Sequence, residues 1–342
     1  MMEFEPVRVA VLGAGRPNVA TQNHLPAIVE SEFLELVGVG DVLEGVEEYA
    51  EQYGVKAYRE YGEMLDDPEV EVVQVATPDW CHAEQVVQGL EAGKHVQVQK
   101  PLCASLGEIE VMREAQRRTK GHLGVVLNTR RLHRSRFLKE LLEEGVIGEL
   151  VHIDQVHVGR RFPLRDFGSR YYTMQAGSVW LHNGMHVLDT AAMYAAAAPV
   201  GVQGVSNRNP EGEAELLGSA ENFVRAMVEF GNGLTGNFEH NTMMTSGELP
   251  SFGFVRFVGT EGEIYSGRGI EGVAVRRRGE EERVLEPGGP EPAADVQASF
   301  RMAFEEFART VRDGEEREPG FELSCRVMEI LFRALDGEEV AR

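Results

Sequence analysis

Lys100 ends the run His95-Val96-Gln97-Val98 and stands between Gln99 and Pro101. A lysine at a strand end is ordinarily a solvated charge. One held in an apolar setting loses basicity, and can then hold a substrate hydroxyl and carry its proton. Further along, His182 and His186 stand four apart, so on a helix both face one way. Imidazole titrates near neutrality, which suits taking a proton from a hydroxyl. The spacing also fits a pair of metal ligands, with His152, His157 and His240 as candidates for a third. We read the pair as proton carriers and assign no metal.

A second set of residues points to a dinucleotide. Gly13-Ala14-Gly15 directly follows the apolar run Val7–Leu12. Glycines there permit a tight turn and a close backbone approach to a pyrophosphate. The full fingerprint has a third glycine where this chain has Asn18, with Pro17 inside the loop. Asp41 ends the next apolar run, where a carboxylate accepts hydrogen bonds from the adenosine ribose and repels a 2′-phosphate. Val42-Leu43-Glu44 brings no cation behind it, so the expected cofactor is NAD in preference to NADP. Thr77-Pro78-Asp79-Trp80-Cys81-His82 follows a third buried run, and Trp80 offers a ring to stack on nicotinamide or sugar.

The elements that must position these groups are legible in outline. Strand patterns at Val7–Leu12, Leu34–Val39, Val70–Ala76, His95–Val98 and Gly124–Leu127 alternate with helical patterns at Asn23–Ser31, Gly45–Tyr53, Ala83–Ala92 and Ser105–Arg118. Ser105 and Glu108 form a capping box. Such alternation predicts an α/β fold with a doubly wound parallel sheet, over residues 1–128. Residues 129–342 read differently. Helices are predicted at Ser135–Glu144, Val187–Ala197, Val296–Arg312 and Glu322–Leu335. Seven strand-like segments between Val200 and Leu285, with Val151–Val158 before them, predict an α+β domain with a large, mostly antiparallel open sheet.

Composition excludes several classes of partner. There are 34 Lys+Arg against 56 Asp+Glu, a net charge of −22. That disfavours nucleic acid and anionic membrane surfaces, which require a positive face. No apolar run approaches the roughly 20 residues that span a bilayer. Cys81, Cys103 and Cys325 lie far apart and are odd in number, so reduced thiols are expected. With no signal-peptide pattern at the N-terminus, the expected location is cytoplasmic.

The strings VATPDWCHAE, LEAGKHVQVQKP, RRLHRSRFLKELLEEGVIGE and GSVWLHNGMHVLD, in that order, resemble the Gfo/Idh/MocA family of NAD(P)-dependent oxidoreductases. The resemblance implies an N-terminal Rossmann domain and a C-terminal domain for substrate binding and oligomerisation. It implies cofactor contacts from Gly13, Gly15, Asn18, Asp41, Thr77, Pro78, Trp80, His82, Gln99 and Lys100. The family's Glu-Lys-Pro is Gln99-Lys100-Pro101 here, and its Asp-x-Gly-x-His-x-x-Asp is His182 to Asp189. Lys100 then contacts the reacting hydroxyl, His186 is the acid/base and His182 assists. Arg131 and Tyr172 are implied as substrate contacts. The implied substrate is a sugar, inositol or glycoside with a secondary hydroxyl, and the implied assembly a homodimer or homotetramer. Two other readings remain open: a redox-neutral NAD-using glycosidase, epimerase or lyase, and a non-catalytic nucleotide-sensing regulator.

Overall fold

The computed structural model describes residues 4–160, 179–208, 221–244, 252–267 and 272–336. These divide into two units, the first Met1–Leu132 with Glu291–Cys325 and the second His133–Pro290 with Arg326–Arg342.

The first unit is built on six strands: β1 (Val7–Leu12), β2 (Leu34–Gly40), β3 (Lys56–Tyr58), β4 (Val72–Val75), β5 (His95–Gln99) and β6 (Leu123–Val126). Their order is β3-β2-β1-β4-β5-β6, and every pairing is parallel. Strands β1, β4, β5 and β6 are buried along almost their whole length, as strands of a parallel sheet covered on both faces by helices are. Those helices are α1 (Leu25–Val29), α2 (Val46–Tyr53), α3 (Tyr61–Asp66), α4 (His82–Glu91) and α5 (Leu106–Arg118). The capping box of Ser105 and Glu108 starts α5. A π-helical turn, Ala20–His24, precedes α1, so helical structure begins before the expected Asn23. The short β3 and α3 were not expected, since three-residue and six-residue elements carry too little periodicity to read.

The second unit holds α6 (His133–Glu143), α7 (Val179–Ala195) and eight strands. The strands are β7 (Leu150–Arg160), β8 (Pro199–Arg208), β9 (Glu221–Phe230), β10 (Thr235–Met244), β11 (Phe252–Gly259), β12 (Gly262–Gly267), β13 (Val273–Arg277) and β14 (Arg283–Leu285). The order is β14-β13-β12-β11-β7-β10-β9-β8, antiparallel except where β7 meets β10. Along β9, Val224, Ala226, Val228 and Phe230 are buried, while Arg225, Met227 and Glu229 are exposed. One face is therefore core and the other open.

Two expectations need correction. The last third of the chain does not lie wholly in the second unit. Helix α8 (Pro292–Asp313) returns to the first, where Phe300, Ala303, Phe304, Phe307 and Ala308 share one core with Val7, Val9 and Val72. Its amphipathic pattern fits any apolar partner, so sequence alone did not reveal which sheet it covers. Helix α7 also begins well before the expected Val187. Gly184 and the polar His182-Asn183 interrupt its apolar pattern. A Cβ on Gly184 would stand 2.7 Å from Leu331 Cδ2, on α9 (Phe321–Asp336), so the glycine permits close helix packing.

Candidate active site

The glycine loop is shaped by its neighbours. Gly13 has φ +103°, and a Cβ there would lie 2.6 Å from the Ala76 carbonyl oxygen. A Cβ on Gly15 would lie 2.6 Å from Asp41 Cγ. Only glycine lets the loop lie this close to the ends of β2 and β4. Asp41 accepts the Gly15 N–H at 2.8 Å on Oδ2 and the Leu43 N–H at 3.0 Å on Oδ1. A carboxylate has about four acceptor positions, so capacity for a ribose remains. Asn18 is committed to the loop itself. Its Nδ2 donates to the Gly13 carbonyl at 2.7 Å, and its Oδ1 accepts from Ala20 N at 2.9 Å and Thr21 N at 3.2 Å. The side chain does the ordering that a third glycine leaves to the backbone. This cradle fits a dinucleotide: the loop for the pyrophosphate, and Asp41 for the adenosine ribose.

The carboxyl ends of β4 and β5 form the next part of the rim. The two strands are adjacent, with Val75 opposite Val98. His82 clamps the loops that follow them, its Nδ1 2.8 Å from the Pro101 carbonyl oxygen and its Nε2 2.9 Å from that of Thr77. The imidazole is only 1% exposed. Thus His82, expected at the cofactor, is a staple between Thr77 and the Lys100-Pro101 turn. Gln99 is 6% exposed and likewise turned inward. Its Oε1 accepts the Lys100 N–H at 2.7 Å and its Nε2 lies 3.0 Å from His24 Nε2. The amide, expected at the cofactor, positions the Lys100 backbone and has a protein partner at each end.

Burial gives this rim its electrostatics. It draws the Lys100 ammonium down to about 7, with Asp79 pulling in the opposite direction. It pushes the Asp79 carboxyl up to about 6, against stabilisation by backbone N–H groups and by Lys100. His24 is held at about 3 by burial alone and is a neutral acceptor for Gln99. Asp79 and His24 were not among the expected site residues. Asp79 stood inside the quoted loop, but an acidic residue in a turn is ordinarily solvated. His24 gave no signal beyond a lone histidine on an apolar helix.

In the second unit, α7 carries His182, Asn183, His186 and Val187 on a half-buried stripe, while Leu181, Met185, Leu188 and Asp189 are buried. The two histidines share one face, as their spacing required. Asn183 ties the helix to the sheet, with Nδ2 3.1 Å from His240 Nε2. His240 on β10 pairs with His157 on β7, and their rings stack at 5.1 Å and 9°. Burial drives His240 down to about 3, and His157 opposes its protonation further. Burial lowers His157 as well. Among the described residues, no group of three or more His, Cys, Asp or Glu is arranged to hold a metal.

Arg131 is buried and engaged within its own unit. It donates to the Leu127 carbonyl at 2.8 Å and to Glu306 from Nε at 3.0 Å, with further bonds to Glu306 and the Glu318 carbonyl. The expected substrate contact is in this structure a folding anchor between the turn after β6 and α8. Tyr172 lies outside the described residues. Trp80 and Pro78 stand half-buried at the rim with Thr77.

Comparison with known proteins agrees with this geometry. Residues 7–126 match the oxidoreductase family with an NAD-binding Rossmann fold, Gfo/Idh/MocA, and residues 135–265 match the Gfo/Idh/MocA C-terminal domain. The chain is 30% identical over 159 residues to glucose-6-phosphate 3-dehydrogenase of Bacillus subtilis, a match spanning 46% of this chain and 44% of that protein. It is 26% identical over 321 residues to scyllo-inositol 2-dehydrogenase (NAD+) of the same organism, covering 90% of this chain and 87% of the other. Levoglucosan dehydrogenase, solved with NADH and levoglucosan, superposes with a TM-score of 0.81 over 98% of this chain and 99% of that one, at 21% identity. With both domains matched and in order, the chain belongs to the Gfo/Idh/MocA family of oxidoreductases.

Proposed function

We propose that the protein is an NAD-dependent dehydrogenase that moves hydride between nicotinamide and a ring secondary hydroxyl of a sugar, inositol or glycoside. The observation that carries this reading is Lys100, on the rim between β4 and β5, with its basicity brought near neutrality beside Asp79. Relatives are named for dehydrogenation of a sugar phosphate at its 3-position and of an inositol at its 2-position, which supports the substrate class.

Bound in the cradle, the dinucleotide supplies a carbon that accepts or returns hydride. The chain's own residues do the rest. Gly13 and Gly15 give the backbone its close approach, and Asp41 receives the ribose hydroxyls. With Leu43 and Glu44 behind Asp41, a 2′-phosphate meets acceptors and no cation, which favours NAD over NADP. Lys100 holds the reacting hydroxyl and takes its proton, with Gln99 and His82 fixing its backbone. His186 is assigned as acid/base and His182 as its assistant. These two sit on one half-buried stripe of α7. The open face of the second sheet, with Met227 47% and Val205 68% exposed, is assigned to a second copy in a homodimer or homotetramer. No helix among the described residues is long and apolar enough to cross a membrane, and we place the protein in the cytoplasm.

The test is a spectrophotometric screen of inositols, glucosides and sugar phosphates with NAD and with NADP. NAD-selective reduction by at least one ring polyol is expected. Failure to bind either dinucleotide would sink the reading. NAD that stays bound through dialysis, with no NADH released during turnover, would replace it by the redox-neutral one.

A further inference from the structure

We infer that His24 is a positioning residue for Lys100: through the Gln99 amide it fastens the turn that carries Lys100 to the helical segment following the glycine loop, and it does so as the tautomer protonated on Nδ1. That the fastened lysine handles a substrate hydroxyl rests on the reading above; the contact and the tautomer do not.

The contacts fix each proton in the chain of bonds. The Lys100 backbone N–H can only donate, so the Gln99 atom 2.7 Å from it is the carbonyl Oε1. The Gln99 Nε2 therefore faces His24, 3.0 Å from its Nε2. An amide NH2 donates and does not accept. His24 Nε2 must then offer its lone pair, and a neutral ring carries its proton on Nδ1. A ring protonated on both nitrogens would set N–H against N–H. The contact thus requires the neutral form that burial also favours.

The other nitrogen shows what this contact costs. His24 is fully buried, and among the described residues its Nδ1 has no hydrogen-bond partner. The ring packs against Phe300 and Phe304 of α8, with centroids 5.4 Å and 5.0 Å away. A buried donor left unpaired is destabilising, and an apolar side chain would fill such a setting without that cost. The imidazole is explained by what its Nε2 holds and not by core packing.

The segment that carries His24 is itself tied to the cofactor cradle. His24 closes the π-helical turn Ala20–His24. At the other end of that turn, Asn18 accepts from Ala20 N and Thr21 N and donates to the Gly13 carbonyl. Gln297 of α8 donates to the Asn23 carbonyl at 3.2 Å, which steadies the turn. Hydrogen bonds and one helical turn therefore run without a break from Gly13 to the Lys100 N–H. His24 and Gln99 place Lys100 against the glycine loop, while His82 holds the following Pro101. A shift of about 1 Å in a reacting group can cost up to about 10²-fold in rate, and through this route a fully buried ring acts on turnover.

Histidine rings enriched in nitrogen-15 report the tautomer by NMR in the cofactor-free protein, and His24→Gln identifies the His24 signals by their loss. The wild type should show a protonated Nδ1 and a bare Nε2. Gln99→Glu, which puts a carboxylate where the amide stood, should bring a proton to Nε2. Hydrogen exchange of the Lys100 amide reads the positioning. His24→Leu should speed it about tenfold, the effect of one hydrogen bond weakened. His24→Gln, which brings a carbonyl oxygen to the place of Nε2, should return most of the protection. In turnover, His24→Leu should lower kcat by up to about 10²-fold while the KM for NAD holds, and His24→Gln should recover most of it. A wild-type ring protonated on Nε2, a Lys100 amide unmoved by His24→Leu, or kcat kept in that variant overturns the assignment. The wild-type and Gln99→Glu spectra decide the contact even if His24→Leu does not fold. Because spectra and exchange need no turnover, a protein that shows both signatures but no hydride transfer keeps the positioning and loses the dehydrogenase reading.

Discussion

Lys100, just past the end of β5, and His240, within β10, are both bases whose basicity burial lowers, and the two are treated in opposite ways. Beside Lys100 stands a carboxylate, Asp79, and the ammonium settles at about 7. Beside His240 stand a second imidazole and the amide of Asn183, and the ring is driven to about 3. Burial alone removes a base from acid–base chemistry, because the charged form is never populated. Burial opposed by one anion leaves it able to change charge at working pH. The first arrangement makes a hydrogen-bonding ring that fixes a helix on a sheet. The second makes a proton carrier. On this ground His157 and His240 anchor α7 and Lys100 moves protons.

Four changes break or sharpen that contrast, in falling order of expected effect. Lys100→Met removes the carrier and should lower kcat/KM by about 10³-fold, within the range for loss of a general acid–base group, with NAD affinity retained; steady-state kinetics and a binding titration read both. Asn183→Asp places an anion where the amide meets His240. It should raise the His240 midpoint by roughly one to three pH units, seen in the proton NMR of the ring. That variant would turn the first arrangement into the second.

The third concerns stability. His24 and His240 have folded pKa values near 3 against 6.5 unfolded. The unfolded chain therefore binds more protons, and stability falls as pH drops below 6.5, levelling only near 3. Each contributes a loss of about 1.4 kcal/mol per pH unit in that window. Urea midpoints measured between neutrality and mild acid should decline, and His24→Asn or His240→Asn should each flatten the slope by about one proton. The fourth and smallest is Asp41→Ala. It should weaken NAD binding about tenfold, in the range for a hydrogen bond to a charged group, and leave the Lys100 pH profile in place.

Much of this was legible in the residues, for reasons that differ by region. The parallel sheet showed because Val7–Leu12 and its fellows are short apolar runs closed by glycine or Thr-Pro. Lys100 showed because lysine is scarce in this chain and because Gln99-Lys100-Pro101 follows such a run. Asp41 and the two glycines showed by position within a βαβ unit. What stayed hidden depends on contacts distant in sequence. Helix α8 could have covered either sheet, and only the packing of Phe300, Phe304 and Phe307 decides for the first. Arg131 resembles a substrate contact by register, yet Glu306 and the Glu318 carbonyl, far along the chain, engage it together with the nearby Leu127 carbonyl. His82 and Gln99 lie in cofactor motifs but turn inward, and no local pattern reports the direction of a side chain. Asp79 was hidden because its importance comes from Lys100 on the adjacent strand.

The most direct test of the account is transfer of a label. Wild-type protein and Lys100→Met would each be mixed with NAD and ring-deuterated inositols or glucosides, and the reduced cofactor examined by mass spectrometry. The account predicts deuterium in NADH from the wild type with at least one substrate, and a loss of about 10³-fold in the variant while NAD still binds. Deuterium transfer at equal rates in both proteins, or transfer from no ring alcohol to NAD or NADP, would contradict it.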